Sequence, residues 1–322
     1  MIQPKRVHKL QQESNPFHKS FIFRHLCNIN VYYEATLPPT NQFQGIMAPV
    51  QVIKHSGNRE TFDEPKLRQS LKKADAGHSL IDEITASIRD GAYDGITTQE
   101  IYKQVKKQLR RHSKRATGRY RLKEALQELG PTEVPFKKFI TEILNQLGYE
   151  TKPDVTALGN CITHNIDVIA QNDDAFIYVE CRFFQRDERC SVRVPLYVQS
   201  QFEDLEKERA SRGEKDNKIH KGWVVTNTRF SYDAEEYGRC VGLKLLSWDY
   251  PRKQGIKDLV EFLSLYPVTC LTSLTKEEKK QLIDHDILFC KQVIGDDKLL
   301  RSAGIHPRQM NRIASEANEI CG

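Results

Sequence analysis

Two carboxylates interrupt stretches that otherwise have the apolar character of strands. Asp167 sits inside Ile166-Asp167-Val168-Ile169-Ala170, and Glu180 inside Ile177-Tyr178-Val179-Glu180-Cys181. Acids are depleted in strands, and a buried carboxylate is costly unless it is paired or bound to a cation. The two acids are thirteen positions apart, with Asn172-Asp173-Asp174 as turn chemistry between them. An antiparallel hairpin can therefore set them side by side. Converging carboxylates suit a hard cation such as Mg²⁺ or Mn²⁺. Such a cation polarises a phosphodiester and activates an attacking water. Arg182, two positions beyond Glu180, falls on the same side of its strand and can steady the transition-state charge. Two plainer alternatives stay open: a remnant site without turnover, or acids that pair with Arg186 or Arg193. Glu142, on the preceding helix, is either an accessory acid or a solvated side chain.

The elements that must carry these residues are legible. Phe136, Phe139, Ile140, Ile143, Leu144 and Leu147 form a wide apolar stripe, predicting a helix over 135–147 that Gly148 ends. Strands follow over 165–170, 176–183 and 223–227, then a helix over 232–240 and a strand over 243–248. Residues 185–194 are basic and irregular, a candidate substrate-facing loop, and 205–221 reads as an exposed helix and linker.

Upstream, Val50–Lys54 and Glu60–Phe62 are strand-like around the turn Ser56-Gly57-Asn58. Asp63 is a helix N-cap with Glu64-Pro65 behind it, and Leu67, Leu71 and Ala74 form the buried stripe. A second helix is predicted over 80–89, closed by Gly91. Thr97 or Thr98 caps a third carrying Ile101, Val105 and Leu109. A fourth spans 117–129 and stops at Gly130-Pro131. Between Lys103 and Lys123 the chain carries ten Lys and Arg residues and no acid. That field either attracts polyanions or is a solvated helix face.

Lys54-His55-Ser56-Gly57, Phe62-Asp63-Glu64-Pro65-Lys66-Leu67, Ser70–Ala74 and Gly95–Ile101 together resemble an ATP-cone domain. The resemblance implies a β-hairpin with four helices that senses a nucleotide. It implies that Lys54 and His55 approach the triphosphate from the strand, that Lys66 reaches phosphate from the first helix, and that Thr98 lies near the nucleotide. His55 departs from the pattern, where a second basic residue, usually Arg, is common; histidine is largely neutral at pH 7 unless phosphate raises its pKa.

The order of helix, Gly148-Tyr149, Ile166–Ala170, Val179-Glu180-Cys181-Arg182 and Gly222–Phe230 resembles the D…E-x-K core of Mrr-type restriction-endonuclease-like proteins. That resemblance covers about 120 residues. It implies an α/β/α mixed sheet, with Asp167 and Glu180 as metal ligands and Asp167, Glu180 and Arg182 as catalytic residues. Arg182 replaces the family's lysine; its planar fork holds a phosphate oxygen but does not shuttle protons. The short helices and Gly-containing turns after residue 274 resemble helix-hairpin-helix modules, which hold DNA phosphate on helix N-termini.

The expected molecule is thus an α/β multi-domain chain. It has an extension over 1–46 without regular structure, an ATP-cone over 47–131, a restriction-endonuclease-like domain over 132–266 and a small all-α module over 267–322. The implied activity is metal-dependent DNA cleavage regulated by ATP or dATP. The alternative is a catalytically degenerate, nucleotide-responsive DNA-binding protein. No G-x-x-x-x-G-K-[ST] loop is present, so the nucleotide is expected to act as an effector rather than as fuel. The partners expected are DNA, an adenine nucleotide and further copies of the chain.

Composition agrees. Of 322 residues, 39% are hydrophobic and 29% charged, and 49 Lys and Arg against 43 acids leave a net charge of +6. No run approaches the roughly 18 apolar residues of a membrane helix. The eight cysteines contain no C-x-x-C pair, which argues against a zinc ribbon and suggests reduced thiols in a cytoplasmic protein.

Overall fold

The computed structural model describes residues 49–186, 188–213 and 218–322. The extension expected over 1–46 lies outside the described residues. Near the N-terminus, β1 (Gln51–Ile53) pairs antiparallel with β2 (Arg59–Thr61). Next come α1 (Glu64–Lys73) and α2 (His78–Gly91). Asp63 caps α1 by accepting from the Lys66 N–H, and Leu67 and Leu71 are buried as the stripe predicts. A third strand, β3 (Ile96–Thr97), pairs parallel to β1 and leads into α3 (Thr98–His112). At two residues β3 is too short to display a period. Thr97 caps α3 in a reciprocal box with Glu100.

The single helix expected over 117–129 is two helices, α4 (Lys114–Tyr120) and α5 (Leu122–Gln127). They break at Arg121, which is held by distant partners. It is 6% exposed, donates to the Thr269 carbonyl at 2.8 Å and pairs with Glu128 at 2.5 Å. Arg115 and Arg119 similarly donate to the carbonyls of Glu319 and Ile320. Much of the basic stretch thus fastens the molecule internally, while Lys107, Arg110 and Arg111 are exposed.

The central sheet runs through β4 (Glu150–Leu158), β5 (Thr163–Gln171), β6 (Ala175–Arg182), β8 (Ile219–Thr226) and β10 (Lys244–Leu246), in the order β10-β8-β6-β5-β4. The β4, β5 and β6 pairings are antiparallel, and β6-β8-β10 are parallel. Helix α6 (Val134–Gln146) precedes the sheet and buries the predicted stripe from Phe136 to Leu144. The segment expected to be an irregular loop instead holds β7 (Arg189–Cys190) and the start of α7 (Arg193–Ser211). There the tertiary pairing of β7 with β9 (Arg229–Phe230) organises a stretch with no local signal. Ser231 caps α8 (Tyr232–Val241).

After β10 come α9 (Ile256–Leu263), α10 (Lys276–Asp284), α11 (Asp297–Ser302) and α12 (Pro307–Cys321), with short 3₁₀ turns at Val268–Cys270 and Cys290–Val293. The C-terminal part is all-helical, as expected. One large core joins α5, α6, one face of the sheet and these C-terminal helices. The other face packs Val224 and Leu245 against Val198 of α7 and Ala234 of α8. Leu67, Leu71, Ile84, Ile88, Val105 and Leu109 form a separate core for the N-terminal helices. Among the described residues, no helix is long and apolar enough to cross a membrane.

Candidate active site and nucleotide pocket

The β5–β6 ladder ends at the pair Val168–Val179. The next step in that register would oppose Asp167 to Glu180, and here the strands part. The Asp167 Oδ2 accepts the backbone N–H of Cys181 at 2.8 Å, filling the gap left in the ladder. The two acids therefore flank the mouth of the split, near enough for the Asp167 charge to act on Glu180. On the other side, the β4–β5 register runs through Pro153–Val168 and Val155–Ile166, which sets Asp154 beside Asp167. Asp154 has a φ of +51°, a left-handed conformation that Asp tolerates better than most residues.

The cations at these acids are not Arg186 or Arg193. The Lys137 Nζ, from the first turn of α6, lies 3.3 Å from Asp167 Oδ1 and 2.6 Å from Asp154 Oδ1. Arg182 meets Glu180 at 2.5 Å and Glu133 at 3.8 Å. Glu142 accepts from Gln146 of its own helix. Sequence reasoning missed Lys137 and Asp154. Lys137 sits at the polar edge of a helix recognised by its apolar stripe, and only the folded register brings Asp154 to Asp167.

Glu180 is 7% exposed, and its carboxyl is pushed up to about 7. Burial is the main cause, and the charge on Asp167 adds to it; the adjoining Arg182 opposes both but does not prevail. Burial pulls Lys137 down, yet Asp154 and Asp167 together keep its ammonium above the usual lysine range. It therefore stands here as a fixed positive charge rather than a base.

Among the described residues, no group of three or more His, Cys, Asp or Glu side chains forms a metal cage. The donor set nevertheless fits a hard divalent ion. Two carboxylates converge, one of them pushed toward protonation partly by the other's charge, and a cation between them would relieve that repulsion. Mg²⁺ is commonly held by one or two carboxylates together with water and substrate phosphate.

A second candidate site lies at the N-terminal sheet. Lys54, His55, Lys66 and Thr98, singled out from the sequence, all line one cavity of about 450 Å³. The size is typical of a small-molecule site. Glu60 bridges the two lysines: it forms a short ion pair with Lys54 and lies 3.5 Å from Lys66. The Lys54 contact holds its carboxyl below the usual range. Glu188, Arg189 and Arg229, from the central region, complete the wall.

Three family models match successive parts of the chain: the ATP cone domain over residues 50–124, the Mrr restriction endonuclease over 126–250, and the AF1548-like C-terminal domain over 266–321. An uncharacterized protein of Archaeoglobus fulgidus is 34% identical over 185 residues, which is 57% of this chain and all of that protein. The transcriptional repressor NrdR of Dictyoglomus thermophilum is 39% identical over 70 residues, and the match covers 47% of its length. The crystal structure of a protein of unknown function, AF1548, is 32% identical with a TM-score of 0.49, covering 59% of this chain and 99% of that one.

Proposed function

The chain belongs to the family of the Archaeoglobus fulgidus protein and carries an ATP cone followed by a restriction-endonuclease-like domain, and from that premise we propose that it is a divalent-metal-dependent DNA endonuclease regulated by ATP or dATP. The observation that carries this proposal is the placement of Asp167 and Glu180 at the β5–β6 split, flanked by Lys137 and Arg182. Asp167 and Glu180 would hold Mg²⁺ or Mn²⁺, which when bound supplies Lewis-acid polarisation of a phosphodiester. Arg182 offers a two-pronged contact to a non-bridging phosphate oxygen. Lys137 supplies a compact positive charge beside Asp167. Lys54, His55, Lys66 and Thr98 would bind the nucleotide. The domain limits proposed are 47–131, 132–266 and 267–322, with DNA as substrate and further copies of the chain as partners.

A second reading, a nucleotide-responsive DNA-binding protein without turnover, draws support from the Arg182–Glu180 ion pair. Arg182 occupies an oxygen that a metal would need.

The experiment is a cleavage assay on supercoiled and linear DNA with Mg²⁺ or Mn²⁺, with and without ATP or dATP, using wild type, Asp167→Ala and Arg182→Lys. Metal-dependent cutting lost in Asp167→Ala is the expected result. Inert wild type with an active Arg182→Lys would indicate a nuclease silenced at one position. Three inert proteins that retain DNA would favour the binding protein.

A further inference from the structure

The cavity at the cone is not walled by the cone alone. Arg189 and Arg229, both belonging to the restriction-endonuclease-like region, line it together with Lys54 and Lys66. Strands β7 and β9 exist as a two-residue parallel pair whose register sets Arg189 directly opposite Arg229. Like charges abreast on neighbouring strands repel, and although exposure to solvent screens that repulsion, an anion lying over both would be held by both. Arg229 meets Asp249 at 2.9 Å, while Arg189 donates to the Phe230 carbonyl at 3.1 Å and lies within electrostatic reach of Glu235. Across the cavity wall, four permanent cations face two carboxylates, Glu60 and Glu188. Thr98, the first residue of α3, brings that helix's N-terminal end to the same space, a further attraction for negative charge.

We propose that the nucleotide site is shared between the two regions, with Arg189 and Arg229 clamping the phosphates of a nucleoside triphosphate bound on Lys54 and Lys66. This rests on the proposed binding of a nucleotide by the cone. The clamp would give the nuclease-like region a direct contact with the effector. The contact is also close to the candidate active site in covalent terms. Arg229 follows buried Asn227 by two residues. The Asn227 side chain accepts from the Phe184 N–H and donates to the Phe184 carbonyl, each at 2.8 Å. Phe184 in turn follows Arg182 by two residues.

The test is titration calorimetry of the full chain with ATP, dATP and adenosine. It compares wild type, Lys66→Gln, Arg189→Gln, Arg229→Gln and the double arginine variant, with unfolding midpoints recorded first without nucleotide. The expected result is at least about a tenfold loss of triphosphate affinity in the double variant, since charge-assisted bonds to phosphate are being removed. Adenosine affinity should stay within about twofold, because the phosphates are what the arginines touch. If the double variant does not fold, the single variants carry the same comparison. Triphosphate binding that falls in Lys66→Gln but not in the arginine variants would overturn the shared site and leave the cone reading standing. Absence of nucleotide binding by wild type would overturn both.

Discussion

Burial and the charge of Asp167 set the behaviour of Glu180, and the sign of the resulting pH dependence can be worked out. Its carboxyl ordinarily titrates near 4.5 and is raised to about 7 in the fold. As pH rises from about 4.5 to 7, the unfolded chain releases this proton before the folded one does, so stability falls across that window and then levels. The raised value corresponds to about 3 kcal/mol. Denaturant unfolding of wild type and Glu180→Gln without divalent metal should show wild type losing about that much relative to the variant between pH 4.5 and 7.5. Parallel pH profiles would refute the assignment. Metal affinity should correspondingly rise with pH through about 7. Lys137 makes a second prediction at this scale: Lys137→Met should lower cleavage about 10²–10³-fold, the usual loss for a positioned transition-state contact. Lys137→Arg should recover part of it. Equal activity in all three proteins would remove Lys137 from the proposed machinery.

At the scale of elements, the candidate active site exists because two strands stop pairing. The β5–β6 ladder closes at Val168–Val179, and beyond it Asp167 turns its side chain to the Cys181 N–H. Each strand continues with its other neighbour, β5 with β4 and β6 with β8, so the split is held open from both sides. Asn227 then locks the chain leaving β6 to the chain leaving β8 through two hydrogen bonds to Phe184. Asn227→Leu would leave a backbone N–H and a carbonyl without that partner. The expected cost is about 2–4 kcal/mol in denaturant unfolding; a change under about 0.5 kcal/mol would mean that the link is dispensable. The hairpin itself was visible in the sequence, because Asn172 is a turn residue whose side chain accepts from the N–H groups of Asp174 and Ala175. The pairing of β7 with β9 was not, since a two-residue strand has no periodicity and its partner is some forty residues away.

At the scale of the whole molecule, the N-terminal helices have a core of their own, yet α5 belongs to the central one. Leu122, Leu126 and Leu129 pack in the same cluster as Phe136 and Phe139 of α6 and Leu282 and Ile313 of the C-terminal helices. Arg121 reinforces the junction from Thr269 to Glu128, and Lys279 pairs with the same glutamate at 2.8 Å. A chain truncated after Ser264 would expose this shared core. It is expected to lose its cooperative thermal transition and to aggregate, which scanning calorimetry and light scattering would show. A soluble truncated chain with an unchanged transition would mean that the C-terminal helices fold independently.

The sequence by itself determined the pieces whose signals are local. Caps such as Asp63 and Thr97, the stripe of α6 and the odd acids in two strands are written in residue type and spacing, and each does locally what its chemistry demands. Lys54, His55, Lys66 and Thr98 could be grouped because the segments that hold them resemble an ATP-cone domain. Only the tertiary structure decided which cations meet those acids. Lys137 reaches Asp167 from a helix thirty residues earlier, and Asp154 stands beside Asp167 through strand register. Likewise, Arg189 and Arg229 come to the cone's cavity by a pairing distant in sequence. Charge acts through space without regard to chain order, so its partners are settled where packing brings the chain together rather than where the residues are written.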